Sequence, residues 1–93
     1  MKCYGKFRKK PVVIEAFQYL HDCDGNFVRP DWFDGISDKS TYGVYFLIVN
    51  TLDGLVVALS GDWIIKGVKG EQYPCRNDIF EATYEECDNW EGE

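Results

Sequence analysis

The chain has 93 residues, 16% of them aromatic, and a formal net charge of −6. That length suits one domain, residues 1–93, with a thin core that buries about 65% of the unfolded surface. The charge argues against non-specific binding to duplex DNA or to an anionic membrane, and the longest apolar run, Val44 to Val49, is far too short to cross a bilayer.

Residues 1–10 form a basic lead-in arm with Lys2, Lys6, Arg8, Lys9 and Lys10 and no acid. The start lacks a continuous apolar h-region, so a cytosolic protein with reduced cysteines is expected. Lys10-Pro11 favours extended backbone, and 11–19 then reads as a strand. Val12, Ile14 and Ala16 lie on one face, Val13, Glu15, Phe17 and Tyr19 on the other. Both faces are largely apolar, which places this strand centrally in a sheet. Glu15 then needs a basic or hydrogen-bonding partner if buried.

Residues 20–26 are a polar turn region. His21-Asp22-Cys23-Asp24 has metal-binding residue types, but an exposed polar loop is the preferred reading. Pro30 suits the first turn of a short helix within 27–36, with Trp32, Phe33 and Ile36 towards the core. Residues 37–43 read as a loop. The strongest strand signal is 42–51, where Tyr45, Phe46, Leu47, Ile48 and Val49 follow in series. Such a run asks for cover on both faces, by the core and by a helix or a second copy of the chain.

Asp53-Gly54 is a hairpin turn, and 55–59 returns as the partner strand. Gly61 turns the chain into a strand over 63–68, and Lys69-Gly70 turns it again into 72–76. Asn77 or Asp78 caps a final short helix with Ile79, Phe80 and Tyr84 on its apolar side. Residues 87–93 are an acidic tail, in which Trp90 is expected to pack against something. The sum is an α+β domain: a small, twisted, mostly antiparallel sheet of about five strands that can curl into a partly open barrel, with one or two short helices.

Catalytic patterns are missing from this reading. With one histidine, no Cys/His or Ser/His/Asp arrangement can be placed, so an enzyme is not expected. No CxxC pair suggests zinc, and no cofactor is expected. Residues 67–70 lack phosphate-loop spacing and suit a hairpin turn. Cys75 reads as a small buried residue. The remaining candidates are Trp63, Lys66, Lys69, Tyr73 and Arg76 on adjacent strands, with Tyr45 as a further stacking ring and Arg8 and Lys10 as further cations. A nucleotide pocket needs π faces for its base and cations for its phosphates. Alternation along a strand sends Trp63 and Lys66 to opposite faces. The plain alternative makes Trp63 core and the lysines solvated turn charges.

Lys6-Phe7-Arg8-Lys9-Lys10-Pro11-Val12-Val13-Ile14-Glu15-Ala16-Phe17-Gln18 resembles the opening of short tailed-phage and prophage proteins described by a PGDYG motif. That motif stands here as Leu59-Ser60-Gly61-Asp62-Trp63, with the initial proline and the tyrosine replaced. Residues 64–71, Tyr73-Pro74-Cys75 and Asp78-Ile79-Phe80-Glu81 also match the family style. The resemblance covers both ends and roughly half the chain, and leaves 20–51 undistinguished. It implies a phage protein in the cytoplasm of an infected cell, from a family mostly without assigned activity. By analogy with other small phage proteins, the expectation is a homo-oligomeric host-defence inhibitor. It would sequester a nucleotide-type immune signal, a cyclic oligonucleotide or a cyclic ADP-ribose isomer. The alternatives are a protein–protein inhibitor of a host enzyme acting through an acidic, aromatic surface, and a virion or replication accessory protein.

Overall fold

The computed structural model describes residues 3–6 and 12–87. The elements are β1 (Glu15–Gln18), β2 (Ile36–Lys39), β3 (Tyr45–Thr51), β4 (Gly54–Ala58), β5 (Trp63–Lys66), β6 (Gln72–Cys75) and α1 (Asn77–Thr83). They form two antiparallel sheets of three strands each, in the orders β1-β5-β6 and β2-β3-β4. The α+β class therefore holds.

Turn chemistry sets the layout. Gly54 takes φ +115° and closes the β3–β4 hairpin, where the Thr51 hydroxyl donates to the Gly54 carbonyl at 2.7 Å. Gly61, at φ +95°, carries the chain from one sheet to the other. The Asp62 carboxylate accepts the Leu59 N–H at 3.0 Å in that turn. Tyr19 and the turn exchange two backbone hydrogen bonds, Tyr19 N–H to the Asp62 carbonyl and Gly61 N–H to the Tyr19 carbonyl, both 2.8 Å. The end of β1 is thus clamped to the Ser60–Asp62 turn.

The sheets face each other over one core. Phe17 and Ile64 come from the first sheet, Leu47, Val49 and Ala58 from the second, and Tyr19 and Phe33 fill the space between. Phe17 sits among rings, edge-on to Phe33 at 5.2 Å and to Trp32 at 5.7 Å.

Four expectations are corrected. The strands number six, in two sheets and not a barrel: the Gly61 turn breaks the meander before β5, and the apolar faces close as two layers. The 27–36 segment is not helical. Pro30 starts only a single turn, with the Phe33 N–H donating to its carbonyl at 3.1 Å. The backbone then passes so close to Ile48 that a side chain at Gly35 would strike the Ile48 carbonyl. Residues 36–39 are a strand, held to β3 by a turn in which Gly43 has φ +84°. β1 lies at a sheet edge, not its centre. Its apolar faces are explained by the 27–33 loop packed on Phe17 and by α1 near Gln18, while one hydrogen-bonding edge is left over among the described strands. Among the described residues no helix is long and apolar enough to cross a membrane.

Candidate binding cleft

The structure distributes the predicted ligand residues over several surfaces. Trp63 stacks flat on Phe80, with ring centroids 4.0 Å apart and planes 4° off parallel. Its indole N–H donates to Asn77 Oδ1 at 2.9 Å. Gln18 Nε2 donates to the same oxygen at 3.3 Å and to the Gly61 carbonyl at 3.0 Å. The tryptophan of the motif-like run therefore anchors the helix. Lys66 pairs with Glu15 at 3.4 Å, directly across the β1–β5 ladder. Glu15 is exposed, so it does not require this partner, and the cross-strand pair contributes about 0–1 kcal/mol.

Lys69 lies exposed in the β5–β6 turn, where its backbone N–H donates to Glu71 Oε1 at 3.0 Å. Gly67 leaves room there for the Glu71 carboxylate, which a Cβ would strike. Arg76 is exposed and pairs with Asp78 at 3.1 Å. Tyr73 sits opposite Ile65 on the helix-facing side of its sheet. Burial pushes its pKa up to about 12, aided by a hydrogen bond with Tyr84. Tyr45 belongs to the other sheet, beside His21 at 5.0 Å and under the Lys39 ammonium at 5.3 Å. Arg8, Lys10 and Trp90 lie outside the described residues.

One cleft stands out, of about 770 Å³. Residues 12–17 form its floor. Val28, Pro30 and Trp32 form one wall, and Phe80, Glu81 and Tyr84 the other. Of the predicted residues that are described, only Trp63 lines it. The floor is the free side of β1, which pairs only with β5 among the described strands. Glu15, Glu81, Glu85 and Glu86 place four carboxylates around it, and no lysine or arginine appears among its described lining residues. The cleft thus combines an open strand edge, apolar walls and negative charge. Sequence reasoning missed it because edge position is decided by strand order. The available signal was the acid-rich stretch that begins at α1.

No three histidine, cysteine or acidic side chains among the described residues assemble as a metal site. Asp22 organises the 22–26 loop by accepting the backbone N–H groups of Asp24 and Asn26, each at 2.9 Å. These bonds, the one from Asn26 foremost, hold its carboxyl below the usual aspartate range. Cys75 is a half-buried free thiol, with its pKa raised by burial and by the nearby Asp62 and Asp78.

The fold and cleft define a small α+β domain of two facing antiparallel sheets. Comparison with protein-family models, with curated proteins and with solved structures finds no match.

Proposed function

We propose that this chain is a non-catalytic binding protein that accepts an extended, basic and apolar segment of another protein along β1. The single observation that carries this reading is the composition of the cleft: a strand edge unpaired among the described residues, rimmed by Glu81, Glu85 and Glu86 together with the Lys66-paired Glu15, and with no cation among its described lining residues. A free edge offers backbone N–H and C=O groups to an incoming strand, and flanking pockets select its alternate side chains. The carboxylates favour lysine and arginine on that strand and speed its encounter. The resemblance at both ends of the chain to PGDYG-motif phage proteins supplies the setting. The partner is then a host protein in the cytoplasm of an infected cell, and the outcome is inhibition of it.

The nucleotide-sequestering reading draws less support from the geometry. Phosphates in this cleft would face Glu81, Glu85 and Glu86, with Glu15 already paired to Lys66. Lys66 and Arg76, two of the expected cations, each have a carboxylate partner, and they sit on separate parts of the surface.

Isothermal titration tests the choice. The probes are short synthetic peptides alternating lysine with valine, their glutamate–valine counterparts, and a panel of cyclic oligonucleotides and cyclic ADP-ribose isomers. Heat is expected with the lysine peptides alone, and loss of it in the Glu81→Lys, Glu85→Lys double variant. Heat with a cyclic nucleotide and none with the peptides would restore the nucleotide reading. Silence across all probes would remove both.

A further inference from the structure

We infer that the outer face of the β2-β3-β4 sheet is the contact between two copies of this chain. The three strands place Ile36, Ile48 and Val57 directly opposite one another in a row across the sheet. Phe46 and Leu55 flank that row on the same face, because Leu47, Val49 and Ala58 alternate with them into the core. Ile36 is 62% exposed, Leu55 73% and Val57 55%. Phe46 and Ile48, in the middle strand, are half-buried, and no described strand or helix is closely packed over this face. β3 is thus apolar on both faces and covered on one, as a central strand buried on two sides would not be.

The occupant follows from area and charge. Three exposed and two half-buried side chains together present on the order of 400 Å² of apolar surface, the size of the largest patch on a typical monomer, which is often a functional contact. That is about half of the roughly 800 Å² per partner of a standard interface, so the patch forms the apolar centre of a contact whose polar border supplies the rest. Asp38 is the only charged strand residue directed to this face. Two chains of net charge −6 can therefore approach through it while most of their carboxylates stay apart. The face carries no row of charges with which to read a different protein. It is complementary to itself: a two-fold axis through Ile48 would lay one aliphatic row across the other, at the spacing of about 10 Å usual for packed sheets. The β1 cleft belongs to the other sheet and stays open in such a dimer.

Sedimentation equilibrium of the full chain across a wide concentration range tests this. The expected mass is twice 10.8 kDa. Val57→Lys and Leu55→Lys, both on the exposed edge strand, are expected to give the monomer mass with an unchanged far-ultraviolet spectrum. Val68→Lys, exposed in the β5–β6 turn, is expected to remain dimeric. A wild-type monomer at every concentration would overturn the inference, and so would a dimer that survives both β4 substitutions. Peptide titration of the Val57→Lys monomer keeps this result separate from the cleft reading, since the cleft is intact in either oligomeric state.

Discussion

Trp63 and Phe80 lie face to face, 4.0 Å apart and within 4° of parallel, and this contact ties α1 to its sheet. The helix has seven residues and none that is fully buried. A helix so short has little stability of its own, so its position depends on what it packs against. Phe80→Ala is expected to destabilise the protein by about 2–4 kcal/mol. The Trp63 indole would then meet water and red-shift its emission. Ile79→Ala, on the exposed side of the same helix, is expected to stay within about 0.5 kcal/mol of wild type. Urea denaturation followed by fluorescence measures both. Equal effects of the two substitutions would refute the anchoring role of Phe80.

Asn77 contributes to the same junction through one atom. Its Oδ1 accepts from the Trp63 indole and from Gln18, at 2.9 and 3.3 Å. Asn77→Ala leaves two part-buried donors without that acceptor and is expected to cost about 1–2 kcal/mol. Asn77→Asp retains an acceptor oxygen at the same place and is expected to recover most of the loss. The midpoint of urea unfolding separates the three proteins, and an aspartate variant as weak as the alanine variant would contradict the hydrogen-bond account.

The junction also shows what the sequence could and could not convey. Gly54, Gly61 and Gly70 mark turns because each needs a positive φ, and that need is local. The alternation in β3 and the existence of the final helix are equally local, so both were legible; the helix details were not, since Arg76 and not Asn77 or Asp78 stands at the N-cap and Ile79 faces outward, away from the docked Phe80. β2 was hidden because Ser37, Asp38 and Lys39 look like a loop; pairing with β3 makes them a strand. Pro30 pointed to a helix, but the close passage at Gly35 is a tertiary constraint. The expected ligand residues share suitable chemistry and nearness along the chain, which says nothing of their partners in space. Trp63 and Tyr73 are absorbed by helix docking, while Lys66 and Arg76 are held by Glu15 and Asp78. The cleft depends on β1 lying at an edge, and no local pattern encodes strand order.

Tyr19 occupies the centre of the core with no exposed surface. Its hydroxyl is buried and has no hydrogen-bond partner among the described residues. Desolvation raises its pKa, with Tyr45 adding to the shift. A buried polar group without a partner works against the folded state, so removing it is favourable when its shape is retained. Tyr19→Phe is therefore expected to stabilise the protein by about 1 kcal/mol. Thermal unfolding should show a higher midpoint; a clear fall would mean that the hydroxyl has a stabilising partner after all.

Tyr73 supplies a test in alkali. Its pKa is pushed up to about 12, mainly by burial and then by the hydrogen bond with Tyr84, with Glu71 and Cys75 adding negative charge nearby. An ordinary tyrosine ionises near 10.0, and the unfolded chain behaves as one. Below that pH both states keep the proton and the environment of Tyr73 favours folding in full. Between 10 and about 12 the unfolded state loses its proton while the folded state holds it. The unfolded state then binds fewer protons, so stability falls as pH rises through this window. Tyr73→Phe cannot ionise. Its stability is expected to be lower at neutral pH, because the hydrogen bond with Tyr84 is lost, and to decline less steeply above pH 10. Urea unfolding of both proteins over a pH series isolates the difference from the titration of the remaining tyrosines and lysines. Parallel curves for the two proteins would show that Tyr73 ionises equally in both states and that its burial has no energetic consequence.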